Sequence, residues 1–309
     1  MLKVENLTVC FGEKGSPEAV TDVSFELKEK EKIAIIGETG SGKSVLLQAM
    51  LKMLPETATI NGNVYLEGKN ILTLSEKEMN HIRGVRISYV PQGSGNGMNP
   101  LMKTGYQVGE PLMIHQKLSK KNAVGKAIKV LKRFDFKDTE KLARQYPHVL
   151  SGGMRQRAMI AMGVAEGAPL LFADEPTKGL DERRILMVTE TFSRLKEQTI
   201  LCVTHDLRFA RAIAETISVM YASQQIEWCK KEDFFSNLLH PYSQALLAAL
   251  PENGLQAGMG FAPPRESAEL IEACHYYRRC PWKCEKCKKN PPLFEVENGR
   301  KVRCWKYGC

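Results

Sequence analysis

Eight consecutive residues, Gly37-Glu38-Thr39-Gly40-Ser41-Gly42-Lys43-Ser44, set three glycines around a lysine and a hydroxyl in the spacing GxxxxGK[ST]. Glycines let successive backbone N–H groups converge on phosphate oxygens, and a helix starting at the end of such a loop adds its positive end. Lys43 is placed to reach the β- and γ-phosphates of a nucleotide and Ser44 to ligate Mg²⁺, with Gly37 through Val45 lining the phosphates. A second feature is Leu170 to Ala173, an apolar run that ends in Asp174 and Glu175. Asp174 suits the Mg²⁺ shell, and Glu175 suits the base that polarises an attacking water. An Asp-Glu pair after a strand says little by itself; behind a phosphate loop it reads as hydrolytic machinery. Leu150-Ser151-Gly152-Gly153-Met154, followed by Arg155 and Arg157, offers a second set of helix-heading amides and a hydroxyl for an anion, without a lysine of its own.

These residues need a parallel α/β scaffold. Lys32 to Ile36 is a short apolar run of the fully buried kind, and it passes through the glycine turn into a helical stretch, Ser44 to Leu54. Leu2 to Phe11 and Val20 to Leu27 alternate like half-buried strands, Arg86 to Val90 is a further strand, and Thr199 to Val203 repeats the buried type. Glu182 to Lys196 carries a helical period between two buried strands, the pattern of a parallel sheet. From about Gly105 to Gly167 the chain reads as mostly helical. An amphipathic helix, Tyr242 to Leu250, precedes a Gly/Pro-rich linker, Pro251 to Pro264.

With 309 residues there is room for one large domain and an extension. No apolar run approaches the roughly 18 residues of a membrane span and no signal peptide opens the chain, so a cytoplasmic protein is expected. The formal charge of +9 concentrates at the end: His275 to Cys309 holds ten Lys and Arg against three acids. A solvated basic surface, attraction to nucleic acid or an anionic membrane, and compensation of a thiolate-bound metal all fit that excess. Cysteine is equally uneven. Cys10, Cys202 and Cys229 sit among apolar neighbours, whereas Cys274, Cys280, Cys284, Cys287, Cys304 and Cys309 crowd the tail, which in a reducing compartment points to metal and not to disulfides.

The loop and the acids alone are shared by kinases, GTPases and helicases. Leu150-Ser151-Gly152-Gly153-Met154, lying between the helical block and the acidic strand, resembles the signature sequence of ABC ATPases. The resemblance implies an α/β P-loop cassette with a helical subdomain at about 93–167, and a head-to-tail dimer in which Ser151, Gly152 and Gly153 serve the nucleotide of the opposite subunit. It further implies that Phe11 stacks on adenine, that Gln92 in Tyr-Val-Pro-Gln links the Mg²⁺ site to the membrane partner, that Asp181 communicates across the dimer, and that His205 contacts the γ-phosphate. Glu175, His205, Gln92 and Lys43 form the implied catalytic set, with Ser44, Gln92 and Asp174 on Mg²⁺. Lys178-Gly179 and the glycine-rich loop after Gln92 depart from the family pattern, at positions concerned with coupling.

Two features are similar to the peptide and nickel importers within that family: His240-Pro-Tyr-Ser-Gln-Ala-Leu-Leu, opening an extension over 236–309 beyond a cassette at 1–235, and the spacing of Cys274, Cys280, Cys287 and Cys304. In that family the cysteines imply a [4Fe-4S] cluster; four thiolates equally suit Zn²⁺, free thiols are the plain alternative, and Cys284 and Cys309 compete as ligands. The implied partners are integral membrane permease subunits at the cytoplasmic face, a second ATPase subunit in a heterodimer, and indirectly an extracytoplasmic binding protein that selects the cargo. Nucleic acid is not expected. The rival class is a soluble ABC ATPase on ribosomes or DNA, although this chain has one cassette and no coiled-coil insertion.

Overall fold

The computed structural model describes residues 1–12, 16–93, 97–250, 252 and 272–308. Loop residues 94–96, the linker at 251–264 apart from Glu252, and Cys309 lie outside them. The chain forms two compact units, one from Met1–Lys28, Lys32–Thr73 and everything from His205 onward, the other from Glu29–Glu31 and Leu74–Thr204.

The first unit begins with β1 (Leu2–Phe11), β2 (Glu18–Leu27), β3 (Lys32–Ile36), α1 (Lys43–Met50), β4 (Ala58–Leu66) and β5 (Lys69–Asn70). β1 pairs antiparallel with β2, Leu2 opposite Leu27 and Val4 opposite Phe25, and antiparallel with β4 on its other side. Alternation buries Leu2, Val4, Leu7 and Val9 of β1, while every residue of β3 is buried. α1 stops at Leu51, short of the expected Leu54, because Lys52 turns to φ 51° and Pro55 cannot continue a helix.

In the second unit, α2 (Glu76–Ile82) leads to β6 (Ile87–Val90); α3 (Thr104–His115), α4 (Lys120–Lys132), α5 (Thr139–Arg144) and α6 (Gly152–Val164) make the helical block; β7 (Leu170–Asp174), α7 (Glu182–Ser193) and β8 (Thr199–Thr204) close it. A Ser75/Glu78 capping box starts α2. β6, β7 and β8 run parallel, with Ile87 beside Leu170 and Leu171 beside Ile200. All residues of β7 and β8 are buried, as expected for strands covered on both faces.

The chain then returns to the first unit through α8 (Leu207–Ile213), β9 (Thr216–Tyr221), β10 (Gln224–Lys230), α9 (Lys231–Ser236), α10 (Pro241–Ala248), β11 (Phe294–Glu295) and β12 (Lys301–Val302). β9 lies parallel to β3 and antiparallel to β10, and β10 touches β2 in parallel at Gln224 and Thr21. The last strand, β12, joins β10 with Glu227 opposite Val302. The tail is therefore hydrogen-bonded into the same unit as the phosphate loop. Both units are α/β in construction, and among the described residues no helix is long and apolar enough to cross a membrane.

Candidate functional site

β3 delivers the chain to Gly37, where φ is 151° and a Cβ would lie 2.0 Å from the carbonyl oxygen of Met220. Gly42, at φ 98°, approaches the carbonyl of Ala19 in the same way, 2.3 Å from an added Cβ. Only glycine fits at either place. α1 starts from Gly42 with no side-chain cap on its N-terminus. Lys43 is buried, and its ammonium donates to the carbonyls of Gly37 and Glu38, 2.8 Å each. The loop is also tied across itself by Ser41 N–H to the Glu38 carbonyl. Ser41 is buried, Ser44 and Val45 are half-buried, and Thr39 and Gly40 are exposed or nearly so. Phe11 ends β1 half-buried opposite Ala58. His205 is exposed, one residue before Asp206, which caps α8 by accepting from Phe209 N–H.

The tail packs in the same unit. Tyr221, Tyr242 and Tyr276 form a cluster with centroids 4.5 to 5.7 Å apart. Burial pushes the Tyr221 phenol up to about 12. His240 caps α10, its Nδ1 accepting from Tyr242 N–H at 3.0 Å, and complete burial pushes the imidazole down to about 3, so the ring is neutral. Cys274, Cys280, Cys284, Cys287 and Cys304 line one cavity of about 490 Å³ together with Tyr276, Trp282 and Trp305. Burial raises the thiols of Cys274 (to about 12), Cys280, Cys287 and Cys304, while the hydrogen bond with Cys287 lowers that of Cys284. The thiols suit a soft metal by their chemistry. Yet among the described residues no group of three or more His, Cys, Asp or Glu side chains is arranged to hold a metal ion, so the ligand set expected from spacing is not assembled here.

In the second unit, β7 ends at Asp174, buried and accepting from the Tyr89 hydroxyl at 3.0 Å. Glu175 is buried too and adopts φ 48°, the left-handed region in which a non-glycine side chain is strained, while its N–H is tied to the Val203 carbonyl. Gln92 is exposed at the end of the segment after β6. Ser151 caps α6 by accepting from Met154 N–H, and Gly152 and Gly153 lie against the side chain of Arg184, 3.3 Å from where their Cβ atoms would be. Arg184 also pairs with Asp181, which caps α7. Gln156 of α6 donates to the Pro176 carbonyl just past Glu175. Signature and acidic strand are thus joined directly through Gln156. Burial lowers the pKa of Arg157, whose guanidinium donates to the Phe134 and Asp135 carbonyls, so this residue supports the helical block instead of facing an anion.

Four participants escaped the sequence: Tyr89 on Asp174, Arg184 between signature and Asp181, and Tyr242 and Arg279 on Glu38. The last pair is separated from its target by more than 200 positions. Arg279 precedes Cys280 and Tyr242 stands in the His240-Pro-Tyr segment, so the sequence singled out both places but not their contact with the loop.

A buried strand, two glycines that admit no side chain, and a helix opening at a buried lysine define a phosphate-loop nucleotide-binding protein. A family profile described as ABC transporter matches residues 20–178, and one described as oligopeptide/dipeptide transporter, C-terminal region, matches 226–287. The chain is 36% identical to the oligopeptide transport ATP-binding protein OppD of Salmonella typhimurium, covering 99% of this chain and 93% of that one. It is 35% identical to a probable peptide ABC transporter ATP-binding protein, y4tR, of Sinorhizobium fredii, covering 99% and 95%. Among solved structures it is similar to the dimeric bacterial ABC cassette MJ0796, also seen in a post-hydrolysis state with ADP and Pi (TM-score 0.66, 28% identity, 75% of this chain and 99% of that one). The chain belongs to the ABC transporter ATPases, in the branch that carries the oligopeptide/dipeptide C-terminal region. It is an ATPase.

Proposed function

We propose that this ATPase energises import of short peptides through a membrane permease, working at the cytoplasmic face beside a second ATPase subunit. The observation that carries the reading is the succession of the two family matches, cassette and then oligopeptide/dipeptide C-terminal region, in a chain whose cited relatives are aligned over nearly their whole length. In this reading Lys43 and the amides of Gly37 to Val45 hold the phosphates, Phe11 stacks on adenine, and Ser44, Gln92 and Asp174 serve Mg²⁺. Glu175 polarises the water, His205 meets the γ-phosphate, and Ser151, Gly152, Gly153 and Asp181 act at the dimer partner's nucleotide. Burial of Glu175 and the fixed backbone about it support its assignment, because a base held in place needs no reorganisation during reaction. Nickel import and action on ribosomes or nucleic acid are set aside, since the cited relatives are named for peptide transport.

The test is ATP-dependent uptake by vesicles containing the co-purified permease complex. Uptake of labelled di- to pentapeptide, with none of nickel, is expected; nickel uptake alone, or recovery of ribosomes in place of a permease, sinks the reading. We further propose that Cys274, Cys280, Cys287 and Cys304, which line one cavity but are not drawn into a ligand set in this structure, hold a [4Fe-4S] cluster once iron and sulfide are supplied. Anaerobic purification should give iron and sulfide in near-equal amounts with visible absorption; stoichiometric zinc, or no metal, refutes it. No step of ATP hydrolysis depends on this group.

A further inference from the structure

Glu38 puts a carboxylate inside a loop built to receive polyanionic phosphate. In water a charge there repels the ligand, and in a partly dry site it does so more strongly. The chain resolves the conflict from its far end. Arg279 Nη1 lies 2.9 Å and 3.2 Å from the two carboxylate oxygens of Glu38. The arginine side chain is only 10% exposed, with its guanidinium over the rings of Tyr221 and Tyr276. The Glu38 N–H donates to the Tyr242 hydroxyl at 3.0 Å, and the Glu38 carbonyl receives Lys43 Nζ. Side chain, amide and carbonyl of one loop residue are therefore each held, two of them by residues beyond position 240. Arg279 is itself fixed by a turn, its N–H bonded to the Tyr276 carbonyl, and His275 anchors that turn on the Ala222 carbonyl.

The geometry points to Arg279 as a positioning residue of the ATP site: it neutralises Glu38 and, with Tyr242, sets the peptide planes that face Lys43 and the phosphates. The C-terminal tail thereby tunes nucleotide affinity. The inference rests on the phosphate-loop reading of Gly37 to Ser44 and on no assumption about cargo or metal. It explains why an acid is tolerated at this point of the loop, and it predicts that the harm of losing Arg279 comes from the orphaned carboxylate.

The experiment is calorimetric titration of MgATP into the full-length protein. Arg279→Met should weaken binding roughly tenfold, the scale of one lost charge-assisted hydrogen bond. Adding Glu38→Gln to that variant should bring affinity back to within about threefold of the parent, since the repelling charge is then gone. A merely structural role for Arg279 gives no such rescue, and failure of the double variant to recover overturns the inference, as does unchanged affinity in Arg279→Met. Should Arg279→Met not fold, Glu38→Gln alone decides: affinity equal to or tighter than the parent, with a steeper salt dependence, supports the proposal, and a tenfold loss refutes it. Lys43→Ala serves as the control, because ATP binding that survives it would discredit the phosphate-loop reading and not the role of Arg279.

Discussion

The two glycine-rich helix starts of this chain solve the same problem in opposite ways. At α1 the amides after Gly42 are left without a side-chain cap, a buried lysine sits among them, and an arginine from the chain's end balances the one acid. At α6 the Ser151 hydroxyl already occupies the amide of Met154, and the Arg184 side chain lies against Gly152 and Gly153 while paired to Asp181. The first gathers lysine, glycine loop and arginine within one unit. The second has its cation engaged and one donor spent, so it suits a ligand already held elsewhere.

The strongest way to break this contrast is Lys43→Ala, which should lower kcat/KM for ATP on the order of 10³-fold, whereas Arg184→Ala should cost far less; comparable losses in steady-state assays would erase the distinction. Glu175→Gln should reduce turnover about 10²-fold while ATP binding persists, and near-normal hydrolysis would remove Glu175 from its role. A pH series sharpens the view of what supports the first loop. The His240 value of about 3 lies below the ordinary 6.5, so between those limits the unfolded chain takes up a proton that the folded chain refuses. Stability should be full above pH 6.5 and fall by about 2 kcal/mol at pH 5. His240→Asn, which can keep the cap on Tyr242, should flatten that part of the Tm-against-pH curve relative to the parent. The smallest effect expected is for Ser151→Ala, about 1 kcal/mol of stability from the lost cap, read by denaturant unfolding.

Legibility in the sequence followed solvent exposure and locality. β3, β7 and β8 announced themselves because strands buried on both faces read as apolar runs, and the phosphate loop because its glycines are adjacent in sequence. β9 and β10 are not legible in the sequence. Their hairpin turns at Ala222 and Ser223, both at positive φ, without the Asn or Gly that usually marks such a turn. β10 also hides polar residues in the core: Gln225 donates to Ser218, and Glu227 accepts from the amides of Leu239 and His240. β4, with Asn61-Gly62-Asn63 in its middle, resembles a turn more than a strand. At the site, motif residues were found by type, whereas Arg279, Tyr242 and Arg184 act through contacts no local pattern encodes. The tail cysteines show the converse. Their spacing is legible, but the structure lines a cavity with them without drawing them into a ligand set.

The strand that carries the phosphate loop has β9 as its parallel neighbour, and Arg303 of the tail bonds to Asp22 near the other end of the chain. During synthesis, then, the loop emerges first and its supports emerge last. At roughly 5–20 residues per second, the interval between translation of residue 73 and residue 303 is on the order of ten to fifty seconds. Through that time the unit that holds the phosphate loop lacks β9, β10 and β12 until each has been translated. A chain released before residue 242 therefore carries Gly37 to Ser44 without the Tyr242 and Arg279 that hold Glu38.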